Sequence, residues 1–151
     1  MRHLFMSNRF IAVAMAMTCW VMMSLAGAAM AAPLSAADEK AVQTVVQNQL
    51  AAFASGDADK AFSYAAPDLR KTIGSSSAFM AMVKNSYPVV YRPASVAFLK
   101  PEASGDEVLQ KVQMLDASGA SWLAVYSLQR QKDKTWRISG CVVVENKGRM
   151  A

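Results

Sequence analysis

Five side chains in this sequence could hold a ligand: Tyr64, Tyr87, Tyr91, Tyr126 and Arg92. A phenol can donate a hydrogen bond to a negative charge, as in an oxyanion site. A guanidinium can fork onto a carboxylate or stack on an aromatic ring. Tyr87, Tyr91 and Arg92 fall within one short stretch, SYPVVYRPAS, at positions 86–95. Pro88 and Pro93 push their predecessors, Tyr87 and Arg92, towards extended geometry. If the whole stretch is extended, Tyr87, Val89 and Tyr91 share one face and Val90 and Arg92 take the other. Arg92 then has two readings. It is an internal anchor that holds Asp68 or a helix C-terminal carbonyl, or it is a recognition group for a small anion at the mouth of a pocket. The anchor is the preferred reading.

The residues that are missing exclude more chemistry than these five suggest. The only histidine is His3, so positions 32–151 contain none. That removes Ser-His-Asp and Cys-His catalysis and the common histidine-based zinc and iron sites. The acids fall mostly at caps and turns: Asp57, Asp59, Asp68, Asp106, Asp116 and Asp133. None sits inside an apolar strand, where burial would raise its pKa for proton abstraction. They are not spaced as an EF-hand loop requires. No metal, no cofactor and no catalytic residue is assigned. Cys19 lies in the N-terminal apolar run, which leaves Cys141 alone in the rest of the chain. A thiol inside SGCVVV with no histidine to activate it reads as a buried, inert small hydrophobe.

The elements that must position these side chains divide into a helical half and a strand half. Ser35 can cap a first helix, where Val42, Val45, Val46, Gln49, Leu50 and Phe53 form one stripe at i, i+3, i+4 spacing and Gly56 is the stop. Asp57 or Asp59 caps a second, short helix. Pro67 opens another turn of helix that runs to Ile73 and ends at Gly74. Ser76 or Ser77 caps a last helix that Tyr87-Pro88 must end. From there the pattern alternates with period two. Val96 and Phe98 share a face; Val108, Val112 and Met114 lie opposite Leu109, Lys111 and Leu115. Trp122, Ala124, Tyr126 and Leu128 lie opposite Leu123 and Val125. In the last strand Trp136, Ile138, Gly140 and Val142 alternate with Arg137, Ser139, Cys141 and Val143, and Gly140 suggests a bulge or a close helix contact. Turn signals at 103–106, 116–120 and 132–135 separate the strands. The expected fold is α+β: N-terminal helices packed on a curved antiparallel sheet of about four strands.

The start of the chain reads as an export signal. Arg2 and Arg9 precede an uncharged apolar run from Phe10, and Ala29-Met30-Ala31 fits a cleavage site. Residues 1–31 are expected to be a cleaved signal peptide and 32–151 a single domain. The run to Ala32 is long enough to span a membrane, so an uncleaved anchor is the alternative. Either way the rest of the chain is exported, to the periplasm or beyond. Without Arg2 and Arg9 the net charge falls by two, from +5 to +3. The bases are scattered except in RQKDKTWR, a solvated hairpin tip, and nucleic acid is not an expected partner.

The stretches AFASGD, YAAP, FMAMVKNSYPVVYRP and WRISGC, within positions 41–144, resemble the domain of unknown function 4864 family of exported bacterial proteins. The helices-then-sheet order in turn resembles the nuclear-transport-factor-2-like, or SnoaL-like, superfamily. That resemblance implies a bent sheet wrapped around helices with a conical pocket; it implies no particular function. The leading reading is a non-catalytic exported module that binds a small ligand or an envelope partner. The alternatives are an envelope-associated structural protein, as a homodimer paired through the outer sheet face, and a histidine-free lyase- or isomerase-type enzyme using Tyr and Asp.

Overall fold

The computed structural model describes residues 33–148. The expected leader and its cleavage after Ala31 lie outside the described residues. Helix α1 (Ala36–Ser55) is capped by Ser35, whose hydroxyl accepts from the Asp38 amide, and stops at Gly56 with φ 71°. Only a residue without a Cβ adopts that left-handed conformation without strain. Helix α2 (Ala58–Ser63) is capped by Asp57, and α3 (Pro67–Ile73) opens on its proline. Helix α4 (Ser76–Ser86) is capped by Ser75, one residue before the serines expected to do so.

The proline-flanked stretch departs from the fully extended expectation. Tyr87 (φ −134°, ψ 56°) and Arg92 (φ −145°, ψ 78°) both lie outside the helical region. Between them Pro88–Tyr91 forms a single helical turn, α5, with Pro88 in its first turn. Proline restricts the residue before it but is pre-set for the start of a helix itself. The turn buries both Val89 and Val90, which an extended chain would have sent to opposite faces.

Five strands form one antiparallel sheet rather than four: β1 (Ser95–Phe98), β2 (Glu102–Ser104), β3 (Glu107–Leu115), β4 (Ser121–Arg130) and β5 (Trp136–Glu145). The order is β1-β3-β4-β5, and β2 pairs with the other end of β3. So β1 and β2 act as one interrupted edge. At the break the Leu99 carbonyl accepts from the buried Gln110 side-chain amide at 2.7 Å.

The inner face carries Val108, Gln110, Val112 and Met114 of β3 and Ala124, Tyr126 and Leu128 of β4, all buried. Helix α1 lies over this face against β3 and β5 and contributes Val42, Val46, Leu50 and Phe53 to the core. Buried Gln49 donates to the Ala61 carbonyl at 3.1 Å, so the one polar member of the α1 stripe satisfies a carbonyl of α2.

A bulge in β5 decides what faces the helices. Ser127 pairs with Gly140, but Leu128 pairs with Ile138, so Ser139 is an extra residue. The side-chain alternation therefore reverses there. Trp136 and Ile138 point inwards before the bulge, and Cys141 and Val143 after it; Val142 is 62% exposed. This corrects the expected pairing of Val142 with Ile138. A Cβ on Gly140 would meet open space, so Gly140 sits beside the bulge rather than in a tight helix contact.

Candidate functional site

Between the helices and the bulged end of the sheet lies a chamber of about 340 Å³. Gln49 and Phe53 come from α1, Leu69, Thr72 and Ile73 from α3, and Phe79, Met82 and Val83 from α4. Tyr87 and Val90 close one side, and Tyr126, Ile138, Gly140 and Cys141 form the floor. Each helix turns its apolar stripe towards the sheet, but the short helices α3 and α5 do not cover it completely. Tyr126 and Cys141 are cross-strand neighbours, so their side chains stand side by side on the floor.

The polar groups of this chamber are neutral. The Tyr126 hydroxyl is fully buried and lies against the Cys141 thiol, with no other hydrogen-bond partner in the protein. Burial pushes its pKa well above the ordinary value, and the neighbouring Cys141 adds to the effect. Burial also pushes the Cys141 thiol up to about 12. At neutral pH the thiol is therefore protonated and a poor nucleophile.

A second, more open chamber of about 430 Å³ lies further along the same face. Its walls include Tyr87, Pro88, Val89, Arg92, Asp116, Trp122 and Val143. Asp116 accepts from the Ser118 amide and hydroxyl, the Ala120 amide and the Trp122 indole at 2.6–3.0 Å. These bonds, the Ser118 hydroxyl foremost, lower its pKa to about 2. The folded value lies below the unfolded one. Asp116 thus contributes stability above about pH 4 that is lost as pH falls towards about 2. An Asp116→Asn variant is expected to melt lower than wild type at pH 7, and the two melting temperatures should converge by pH 2. A gap that persists at pH 2 would show that the carboxylate charge is not the cause.

Three of the five candidate residues meet around these chambers, and two do not. Tyr126 is on the inner floor, Tyr87 belongs to both chambers, and Arg92 is on the outer wall. Tyr91 lines neither. Its ring centre lies 5.1 Å from the Lys84 ammonium and 5.3 Å from the Arg92 guanidinium. Arg92, then Lys84, hold its phenol below the ordinary value. Tyr64 ends α2, and its carbonyl accepts from the Ile138 amide, which ties the helical half to the β5 edge. The expected anchor role of Arg92 is not found. Arg92 is exposed, and the ion pairs among the described residues are Lys100–Glu39, Lys111–Glu102, Arg130–Asp38 and Lys147–Glu145. Gln49, Asp116, Trp122 and Cys141 were not among the candidates. A glutamine on an otherwise apolar helical stripe and a tryptophan on the Tyr126 face were the available signals.

Among the described residues no three His, Cys, Asp or Glu side chains are grouped to hold a metal ion. No helix among them is long and apolar enough to cross a membrane.

The family model described as domain of unknown function (DUF4864) matches residues 35–151. The chain belongs to this family. The DUF4864 match spans both chambers and every candidate residue. No curated protein matches the chain. Among solved structures, an NTF-2-like protein of unknown function from Burkholderia xenovorans LB400 is similar at 12% identity. That match has a TM-score of 0.48 and covers 75% of this chain and 88% of the other.

Proposed function

We propose that this DUF4864 domain binds a small, largely apolar molecule in the inner chamber without transforming it. One observation carries the reading: an apolar chamber of about 340 Å³, walled by Phe53, Leu69, Ile73, Phe79 and Val83, is left open between the helices and the sheet. A bound apolar molecule would cover the surface that the fold leaves uncovered there. The volume lies in the range of small-molecule sites.

The absence of chemistry is supported by the polar groups of this chamber. The chamber's phenol and thiol stay protonated at neutral pH, so neither serves as a general base. Asp38, Asp116 and Asp133 have pKa values lowered by their hydrogen bonds and belong to caps and turns. The apolar run after Arg2 and Arg9 supports action outside the cytoplasm.

Native mass spectrometry of the protein purified from its own cell envelope tests this. The expected result is a one-to-one, non-covalent adduct of a small molecule that Cys141→Leu, which fills the chamber floor, no longer carries. A folded protein without any adduct, or an adduct indifferent to Cys141→Leu, overturns the reading.

A second reading is favoured by the outer sheet face, where Val142, Val144 and Leu115 are 62%, 47% and 41% exposed. Two copies paired through this face would cover them. Sedimentation equilibrium decides between monomer and dimer.

A further inference from the structure

Strand β5 is the last of the sheet, and beyond its bulge the edge is open. The Asn146 amide donates to the Ser121 carbonyl at 2.8 Å, at the end of the ladder with β4. Bonds in an antiparallel pair alternate, so Val144 and Val142 also turn their backbone groups to β4. Cys141, Val143 and Glu145 turn theirs the other way. Ile138, before the bulge, faces that side too. Its amide donates to the Tyr64 carbonyl and its carbonyl accepts from the Ala66 amide, at 2.8 and 2.7 Å. That short bridge covers the edge at Ile138. Among the described residues no backbone bond reaches Cys141, Val143 or Glu145 from that side. Positions 140–144 hold no proline and no charged residue, the usual guards of an open edge.

The same stretch borders both chambers. Cys141 lies on the floor of the inner chamber and Val143 on the wall of the outer one. Side chains two positions apart on a strand share a face and lie about 7 Å apart. A strand added to this edge would stand its own inward side chains beside Cys141 and Val143, one at each chamber. We propose that β5 takes an extended peptide of a partner protein as an added strand, with apolar side chains at alternate positions packed over the two chambers. Main-chain bonds to Cys141, Val143 and Glu145 supply the affinity, and the chambers select the side chains. Charge decides the occupant. No ionised side chain lines the inner chamber, so the residue packed over it is uncharged. Two β5 strands centred on Val143 would set Glu145 opposite Cys141, at that same chamber, which disfavours a second copy. The proposal goes beyond the reading of the inner chamber: it stands on the backbone edge and needs nothing bound within.

Amide hydrogen exchange of the full chain, with and without a capped heptapeptide alternating serine with valine, tests this. The peptide is expected to slow exchange at Cys141, Val143 and Glu145 and to leave Val142 and Val144, already bonded to β4, unchanged. N-methylation of the peptide at every second residue should cost about tenfold or more in affinity in one phase and little in the other, since one set of its amides faces β5. Val143→Pro should abolish the slowing and keep a melting temperature close to wild type, because the Val143 amide bonds nothing within the sheet. Should that variant unfold, the two N-methylated peptides on the wild-type chain decide alone. Equal loss in both phases, or no slowing with millimolar peptide, overturns the proposal. So does slow exchange at those three amides in the free protein that grows with protein concentration, which gives the edge to a second copy. Cys141→Leu reports on the chamber and N-methylation on the edge, so the two readings fail separately.

Discussion

Tyr126→Phe is expected to make this domain more stable. Most substitutions of a fully buried residue destabilise, because they remove packing or strand a polar partner. Here the ring stays, and the removed hydroxyl leaves behind only the Cys141 thiol, a weak donor and acceptor. The variant recovers a desolvation cost and loses only the contacts of one oxygen atom. The expected gain is about 1–2 kcal/mol, or roughly 3–8 °C in melting temperature for a domain of this size. Scanning calorimetry checks this. The pH profile adds a second check. The folded pKa of Tyr126 lies above the unfolded value of 10.0, so its contribution is complete below pH 10 and is lost as pH rises further. The variant should lack that share of the alkaline loss. A lower melting temperature at neutral pH would show that the hydroxyl is well matched within the protein.

Phe53→Ala is expected to be the most damaging substitution at the chamber, by about 3–5 kcal/mol. Phe53 is 1% exposed and packs against Phe79 with ring centroids 5.5 Å apart. Phe79 in turn packs on Phe62 at 5.6 Å, so one ring cluster joins α1, α2 and α4. Truncation removes the transfer free energy of the ring and its aromatic contact. The vacated volume cannot be refilled by collapse, because it opens into a chamber that is already under-filled. Urea unfolding should show a lower midpoint with an unchanged slope. A loss under about 1 kcal/mol would mean that the helices close over the chamber and that its volume is not held by the fold.

These two residues also show how far the sequence could be read. Phe53 was legible as core because it completes an i, i+3, i+4 stripe that begins at Val42. Tyr126 was legible as inward-facing because it alternates with Leu123 and Val125 and shares a face with Ala124 and Leu128. That its hydroxyl meets only the Cys141 thiol was not legible, since the groups around it come from α1, α3, α4 and β5. Arg92 was the polar residue to inspect, and it lines the outer chamber, but it makes no ion pair with Asp68. Asp68 lies exposed at the start of α3, and a short pair at that sequence distance depends on how the helices pack. Cys141 was read as an inert thiol, which its raised pKa supports. Its place beside Tyr126 appears only once the Ser139 bulge reverses the alternation of β5.

By itself the sequence determined the α+β order, the cap at Ser35, a cap at Asp57 or Asp59, the helix start at Pro67, the stops at Gly56 and Gly74, and the inner faces of β3 and β4. Each depends on residues within a few positions of one another, where sterics and hydrogen bonding are local. The tertiary structure alone decided the helical turn at Pro88–Tyr91, the two-part edge of the sheet, the bulge parity and the chambers on either side of Tyr87. Those depend on how completely distant elements fill the space between them. Packing gaps and unmatched hydroxyls belong to pairs of surfaces, and no single stretch of chain carries them.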